Sequence, residues 1–95
     1  MSAYVVVQIE VKDTAGYEKY KSMVEPSIAH HGGRYLARGG KVTTLEGTWS
    51  PKRFVILKFA SAEKARTWWE SPEYADAKKQ RQATSHTEMI IVEGI

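Results

Sequence analysis

The sequence predicts an α+β fold of the ferredoxin-like βαββαβ type, in which helices cover one face of an antiparallel sheet. Two observations indicate this fold. Strand-like segments rich in apolar residues begin and end the chain, and segments of helical periodicity separate them from the strand-like middle. The chain has 95 residues, of which 42% are hydrophobic and 26% charged, and this composition is typical of a single globular domain spanning residues 1–95.

The first predicted strand is Ala3–Val11. Its odd-numbered residues are all apolar, whereas its even-numbered residues begin with Tyr4 and Val6 and end with Gln8 and Glu10. We therefore expect one face of this strand to lie in the core, and the other face to be apolar over its first half.

A helix is predicted to follow, with Asp13 as its N-cap and Gly32-Gly33 as its end, because glycine readily adopts the left-handed conformation of a C-terminal cap. Its buried stripe consists of Tyr17, Tyr20, Val24 and Ile28. Pro26 lies inside this pattern and lacks a backbone donor, so we expect it to kink or split the helix near Val24 or Glu25.

Three strands are predicted in the middle of the chain, at Arg34–Arg38, Val42–Trp49 and Arg53–Ala60. Gly39-Gly40 is typical of a tight hairpin turn that would pair the first two of them, and 50–52 forms the next turn. The run 54–57 is apolar at every position, which predicts a strand covered on both faces.

Two short helices and a strand complete the prediction. Ser61 is expected to cap a helix that ends at Trp69 and packs Ala62, Ala65 and Trp69 inward. A second helix is predicted over about 72–82 and a last strand over 88–93. The arrangement is assigned to the βαββαβ type, here with three strands in its middle and the second helix broken in two.

This arrangement leaves one face of the sheet uncovered, although two of its strands carry apolar residues on both faces. An exposed apolar face of this size requires a partner. We therefore predict a homodimer in which two sheets pack against each other to form a dimeric α/β barrel.

Composition excludes several function classes. The chain has no cysteine, which excludes disulfides and thiol nucleophiles, and its net charge of +3 comes from interspersed charges. Its densest basic stretch, Lys78 to Arg81, is interpreted as a solvated helix face, so no nucleic-acid partner is predicted. Neither a basic leader segment nor an apolar run of ~20 residues is present, so we expect a cytoplasmic protein without a membrane partner.

The strongest candidate site lies on the helix that begins at Ser71-Pro72. Tyr74 and Arg81 are seven residues apart, close to two helical turns, and therefore share a face. A phenol beside a guanidinium can hold a small anion or a carbonyl oxygen. The alternative is structural: a tyrosine that anchors the helix and an arginine that neutralises a nearby glutamate.

Other candidates lie outside this helix. Arg38, at a strand end, is predicted to hold a carboxylate; the alternative is an ordinary solvated or salt-bridged arginine. Glu46, expected within a strand, is a candidate general base or a partner for Arg38 or Arg81, the alternative being an exposed strand glutamate. His86 is a second candidate base, and Trp49 either packs or walls a ligand pocket.

No metal and no cofactor are predicted. His30 and His31 are adjacent at a helix end, and adjacent helical residues point apart, so we expect them to cap the helix or face solvent and not to share an ion. No histidine pair has metal-ligand spacing with a carboxylate in the sequence.

Several short segments together resemble a known family. They are 31–36 (HGGRYL), 38–40 (RGG), 45–47 (LEG), 59–61 (FAS), 71–74 (SPEY), Arg81 and 92–94 (VEG). With them the chain resembles, from Tyr4 to Gly94, domain of unknown function 1330 within the dimeric α/β-barrel superfamily. The resemblance implies the βαββαβ fold, a dimer formed through the sheets and a cleft between helices and sheet. It also implies polar site positions at Arg38, Glu46, Ser71, Tyr74 and Arg81.

The resemblance leaves the reaction open, since the wider superfamily includes cofactor-independent monooxygenases, isomerases, haem-degrading enzymes and stress-response proteins. The chain has no asparagine, which the haem-degrading members use. The first hypothesis is an enzyme acting on a small carbonyl or carboxylate metabolite, as an isomerase or a cofactor-independent monooxygenase. Glu46, Tyr74 and His86 would then be catalytic, and Arg38, Ser71, Arg81 and Trp49 would bind substrate. The alternatives are a non-catalytic, small-molecule-binding or stress-related dimer, and a purely structural dimer.

Overall fold

A computed structural model describes residues 1–95 and has the predicted ferredoxin-like α+β fold. A four-stranded antiparallel sheet has the order β2-β3-β1-β4, with β1 paired to both β3 and β4. The elements are β1 Ala3–Val11, α1 Thr14–His30, β2 Arg34–Arg38, β3 Arg53–Phe59, α2 Ala62–Glu70, α3 Pro72–Thr84 and β4 Ser85–Glu93.

The core lies between the helices and one face of the sheet, which we call the inner face. The odd-numbered residues of β1 from Ala3 to Ile9 are buried there, as their alternation predicts. The buried stripe of α1 also agrees with the prediction. The largest fully buried side chains are Trp68, Tyr74, Phe59 and Val5.

The predicted strand Val42–Trp49 is wrong. Residues 39–50 are all exposed and form a loop, and β2 pairs directly with β3, from Arg34 opposite Lys58 to Arg38 opposite Val55. The Gly39-Gly40 hairpin is therefore also wrong, because the connection runs from residue 39 to residue 52. The physical reason is that β3 takes the position beside β2 that the predicted hairpin gave to this segment. The side chains of the segment bury little surface, and its Leu45 is 93% exposed.

Pro26 does not split α1, which runs unbroken from Thr14 to His30. Both Pro26 and Ser22, whose carbonyl lost its helical donor, are exposed, so water can replace the missing bond. The end of the helix agrees with the prediction. Gly32 has φ +74°, and the Gly33 amide donates to the Ile28 carbonyl at 2.9 Å, as in a Schellman cap.

The second half of the chain departs from the prediction in two details. Trp68, not Trp69, packs inward from α2, because Trp68 follows the buried Ala65 by three residues and shares its helix face. The last strand begins at Ser85, directly after α3, and not at Glu88.

The other face of the sheet, here called the outer face, carries no helix. The even-numbered residues of β1 lie on it, and the register places Val6 beside Ile56 and Ile90. Ile90 and Val92 are 61% and 46% exposed. One apolar face of the sheet is therefore open to solvent within a single chain. No helix combines the length and apolar character needed to cross a membrane.

Candidate functional site

Ser71 forms the junction between α2 and α3. Its hydroxyl donates to the Trp68 carbonyl at 2.7 Å and accepts from the Tyr74 amide at 3.2 Å. Pro72 occupies the first turn of α3, where its missing N–H costs nothing. Both hydroxyl bonds are buried, so Ser71 holds the start of α3 in place and thereby fixes the position of Tyr74.

Tyr74 and Arg81 meet on the inner side of the molecule, as their spacing predicts. The Arg81 Nε donates to the Tyr74 hydroxyl at 3.1 Å, and that hydroxyl lies 3.3 Å from the Tyr20 hydroxyl of α1. The Tyr74 ring stacks on Trp68 with ring centroids 4.2 Å apart. Tyr74 is fully buried and Arg81 is 5% exposed. The guanidinium is thus held rigidly from one side.

Arg81 has no acidic partner. None of the five ion pairs in the structure includes it, and its only side-chain hydrogen bond is the one to Tyr74. No fully buried side-chain nitrogen lacks a partner, so the terminal nitrogens of Arg81 keep a small contact with solvent. A nearly buried, unpaired guanidinium is costly unless something else compensates its charge.

The solvent-facing part of Arg81 opens into a groove between α2, α3 and β4, which we call the Arg81 groove. Its volume is about 550 Å³. Besides Arg81, its polar residues are Arg66, Gln82 and Thr87. The remaining wall residues are apolar: Val5, Ala65, Trp68, Trp69, Met89, Ile90 and Ile91. A mostly apolar groove with a few placed polar groups is the usual form of a small-molecule site.

A second polar cluster lies between α1 and the sheet. The Arg53 Nε donates to the Tyr17 hydroxyl at 3.1 Å, and the Arg38 guanidinium lies 4.4 Å from the centre of the Tyr35 ring. These four residues line a narrow cavity of about 20 Å³, which has room for roughly one water molecule. The cleft implied between helices and sheet is therefore nearly filled by side chains.

The carboxylate partner of Arg38 is Glu25 of α1, and Arg38 also donates to the Lys21 carbonyl at 3.4 Å. Arg38 therefore has a partner within its own chain, which Arg81 lacks. The suggested pairing of Glu46 with either arginine is absent.

Burial controls the charge of the tyrosines in these clusters. Desolvation raises the pKa of Tyr17, an effect that the nearby Arg53, Arg81 and Arg38 partly oppose. Burial, and next the neighbouring Tyr74, raises the pKa of Tyr20, and burial raises the pKa of Tyr35 to about 12. These phenols are therefore neutral near pH 7 and available as hydrogen-bond donors.

Trp49 and Glu46 lie away from Arg81. Both line a depression formed by the exposed loop at residues 42–51. The Trp49 Nε1 donates to Gln8 Oε1 at 2.6 Å, and the Trp49 ring meets Phe54 edge to face at 5.8 Å. Since Gln8 belongs to the outer face, Trp49 packs on that face.

His86 is exposed at the start of β4 and pairs in register with Glu10, also on the outer face. The proposed catalytic residues Glu46, Tyr74 and His86 therefore do not converge within one chain, because the sheet separates Tyr74 from the other two. The helix-side candidates Ser71, Tyr74 and Arg81 do come together.

The expectation that His30 and His31 point apart is wrong. His31 is the C-cap of α1 with φ −99° and ψ 13°, so its side chain leaves the helical path. The ring centroids are 5.0 Å apart, and both rings face Glu73 of α3. The sequence therefore missed a cluster of two histidines and a carboxylate that has the spacing of metal ligands.

Sequence reasoning also missed Arg53, which looked like an ordinary residue after a turn. A weak signal existed in Tyr17 and Tyr20. Two hydroxyl-bearing rings in the buried stripe of one helix require polar partners in the core, and Arg53 and Tyr74 supply them.

The family model described as domain of unknown function (DUF1330) matches residues 2–95, and the chain belongs to this family. No curated protein matches the chain.

Three solved structures share the fold over 99% of this chain. A protein of unknown function from Rhodopseudomonas palustris is 17% identical, with a TM-score of 0.80 and 82% of its chain covered. SnoaB, a cofactor-independent oxygenase from Streptomyces nogalater, is 14% identical, with a TM-score of 0.69 and 93% covered. A dimeric ferredoxin-like protein of unknown function from Jannaschia sp. CCS1 is 11% identical, with a TM-score of 0.73 and 100% covered. At these identities the likeness concerns the fold alone.

Proposed function

We propose that this chain forms a homodimer and binds a small organic anion, with a carboxylate or enolate oxygen, in the Arg81 groove. The observation that carries the proposal is the guanidinium of Arg81, which is 5% exposed and has no acidic partner. The terminal nitrogens of arginine match a carboxylate in a two-bond geometry. A bound carboxylate would supply the negative charge that the protein itself leaves out.

The surroundings of Arg81 favour an anion with an apolar body. The Tyr74 hydroxyl already engages Nε, which leaves the terminal nitrogens for the ligand. Trp69 is 38% exposed and adds apolar surface to the groove, although the Lys78 ammonium lies over one face of its ring, 3.8 Å from the ring centre. Arg66 adds a second positive charge. No carboxylate of this chain lines the groove, so nothing there competes with the ligand.

The dimer would form through the outer face. Its central residues Val6, Ile56 and Ile90 adjoin in register, and solved neighbours from Jannaschia sp. CCS1 and Bacteroides fragilis are described as dimeric. Burial of this face removes apolar surface from water. The predicted mass by light scattering is twice the chain mass of 10.7 kDa. Ile90→Lys should give the single-chain mass while the far-ultraviolet circular dichroism stays unchanged. A wild-type monomer at micromolar concentration would contradict the dimer.

Catalysis is the second candidate, as an isomerase or a cofactor-independent monooxygenase. It is supported by the pairing of Arg81 with Tyr74, because fixed donors of this kind stabilise negative charge that develops on oxygen. One solved neighbour, SnoaB, is a cofactor-independent oxygenase. The groove is lined by no carboxylate or imidazole of the same chain, so a proton acceptor would have to come from the substrate or the partner subunit.

The binding test uses benzoate, with benzamide as an uncharged analogue of the same shape. By calorimetry, benzoate should bind and benzamide should not. Arg81→Met should lower the affinity for benzoate by about tenfold to a hundredfold, which corresponds to the loss of one charge-assisted hydrogen bond. Equal binding of both compounds, or binding unchanged in Arg81→Met, would contradict the proposal.

Arg66→Met is the matched control, because it removes a guanidinium at the rim of the same groove. It should lower the affinity for benzoate much less than Arg81→Met does. Mass spectrometry of enolisable keto acids after incubation separates the two functions: unchanged compounds support a binding protein, and product that requires Arg81 supports an enzyme.

A further inference from the structure

We propose that His30, His31 and Glu73 form a binding site for a divalent transition-metal ion of the zinc type, which links the end of α1 to the start of α3. This site lies outside the Arg81 groove and does not depend on the function proposed for it. One ligand atom from each residue can be chosen so that all three lie within 4.8 Å of one another.

The three side chains already lie close to ligand geometry. The His31 Nε2 is 2.8 Å from Glu73 Oε1, and the His30 Nε2 is 3.7 Å from the same oxygen. In a tetrahedral zinc site with bonds of about 2.0–2.1 Å, neighbouring ligand atoms are about 3.4 Å apart. These two separations bracket this value, and no two of the three ligand atoms are more than 4.8 Å apart. Side-chain rotations that draw the two imidazoles together would bring all three ligands onto one ion.

Local structure explains why the three residues meet. His31 is the C-cap of α1, and its non-helical backbone turns its ring beside that of His30, at an angle of 76° between the ring planes. Glu73 lies in the first turn of α3, which the Ser71 cap holds in place. The packing of α1 against α3 brings these two helix ends together, so the site requires the folded protein.

The ligand set indicates the class of ion. Imidazole nitrogens favour zinc, copper, nickel and cobalt, whereas magnesium and calcium prefer oxygen ligands only. Two histidines and one carboxylate are the protein ligands of several catalytic zinc sites, in which a fourth position is left for water or another ligand. His30 and Glu73 are exposed and His31 is partly exposed, so an ion can reach the site from solvent.

The competing explanation is an ordinary ion pair between His31 and Glu73. Positive charge at the end of α1 and negative charge at the start of α3 both suit the helix dipoles. His30 distinguishes the two explanations. It lies 3.7 Å from the carboxylate and adds little to the pair, but it is required as a third metal ligand.

The experiment titrates Zn²⁺ into tag-free, full-length protein by calorimetry and records the visible spectrum with Co²⁺, which reports tetrahedral coordination. We expect one ion per chain and a rise in melting temperature, because the ion binds only the folded state. His30→Ala and Glu73→Gln should each lower the affinity for Zn²⁺ by at least about tenfold. Even the loss of a residue that only hydrogen-bonds to a metal ligand lowers metal affinity by about this factor.

His86→Ala is the matched control, since His86 is an exposed histidine outside the cluster. It should leave both the affinity and the Co²⁺ spectrum unchanged. His30 is exposed, so its replacement keeps the fold and the test remains decisive even if His31→Ala unfolds the chain. The proposal is overturned if wild-type protein does not bind Zn²⁺ at millimolar concentration, if His30→Ala binds as tightly as wild type, or if His86→Ala weakens binding equally.

Discussion

The inner and outer faces of the sheet use polar residues in different ways. On the inner face, Tyr20, Tyr74 and Arg81 are buried, and each has a hydrogen-bond partner. The packing of α1 against α3 joins Tyr20 to Tyr74, and the period of α3 joins Tyr74 to Arg81. On the outer face, Trp49 and His86 are exposed and belong to a loop or to an edge strand. Folding therefore constrains the buried polar groups, and the unpaired charge of Arg81 among them is the basis of the proposed binding function.

The largest expected contrast is between Tyr74→Ala and Leu45→Ala. Tyr74 is fully buried, and its removal leaves a cavity beside Trp68 and a lost partner for Arg81. We expect Tyr74→Ala to lower the free energy of unfolding by about 3–5 kcal/mol, the range for large aromatic residues in cores. Leu45 is 93% exposed, so Leu45→Ala should change the free energy of unfolding by no more than about 0.5 kcal/mol.

Urea denaturation of both variants provides the measurement. Tyr74→Phe keeps the ring and removes only the hydroxyl, so it separates packing from hydrogen bonding and should cost about 1–3 kcal/mol. Comparable losses for Tyr74→Ala and Leu45→Ala would break the distinction between the two faces.

The second contrast concerns alkaline pH. Burial raises the folded-state pKa of Tyr17, Tyr20 and Tyr35 above the usual 10.0, and that of Tyr35 to about 12. Above pH 10 the unfolded chain releases these protons first, so the folded state binds more protons and stability falls as pH rises. These groups make their full contribution to the free energy of unfolding below pH 10, and the contribution of Tyr35 is lost as pH approaches 12.

Thermal unfolding between pH 8 and pH 12 measures this decline. Tyr35→Phe should reduce its slope, since phenylalanine has no proton to lose. Ultraviolet difference spectra should place the ionisation of the buried phenols above pH 10. A decline that begins well below pH 10, or one with the same slope in Tyr35→Phe, would contradict the assignment.

The fold was predictable because its main signals are local. Alternation in Ala3–Val11 and the helical stripe beginning at Tyr17 each depend on neighbours in sequence, and both predictions are confirmed. Val42–Trp49 has strand-forming residues, but a strand also needs an edge to pair with. The predicted partner of this segment, β2, pairs with β3 instead, and local propensity contains no information about which segments pair.

In the candidate site, too, the local contacts were predictable and the long-range contacts were not. The contact between Tyr74 and Arg81 lies within one helix and follows from its period. The pairing of Arg53 with Tyr17 and the meeting of His31 with Glu73 join residues that are distant in sequence. The first requires α1 to pack on the sheet, and the second requires α1 to pack against α3. Glu46 was placed by a strand that does not form, so its expected position was lost with that strand.

The smallest contrast compares two tryptophan N–H bonds. Trp68 Nε1 donates to Ser27 Oγ at 3.1 Å in the core, and Trp49 Nε1 donates to Gln8 Oε1 at 2.6 Å on the outer face. The shorter bond should matter less, because exposed Trp49 can exchange its partner for water, whereas buried Trp68 cannot. We expect Ser27→Ala to cost about 1–3 kcal/mol and Gln8→Ala about 0.5 kcal/mol or less. Both are measured by urea denaturation in the Ile90→Lys background, which keeps the outer face solvated. Equal losses would mean that the outer face is covered even in the single chain, and that burial does not separate the two faces.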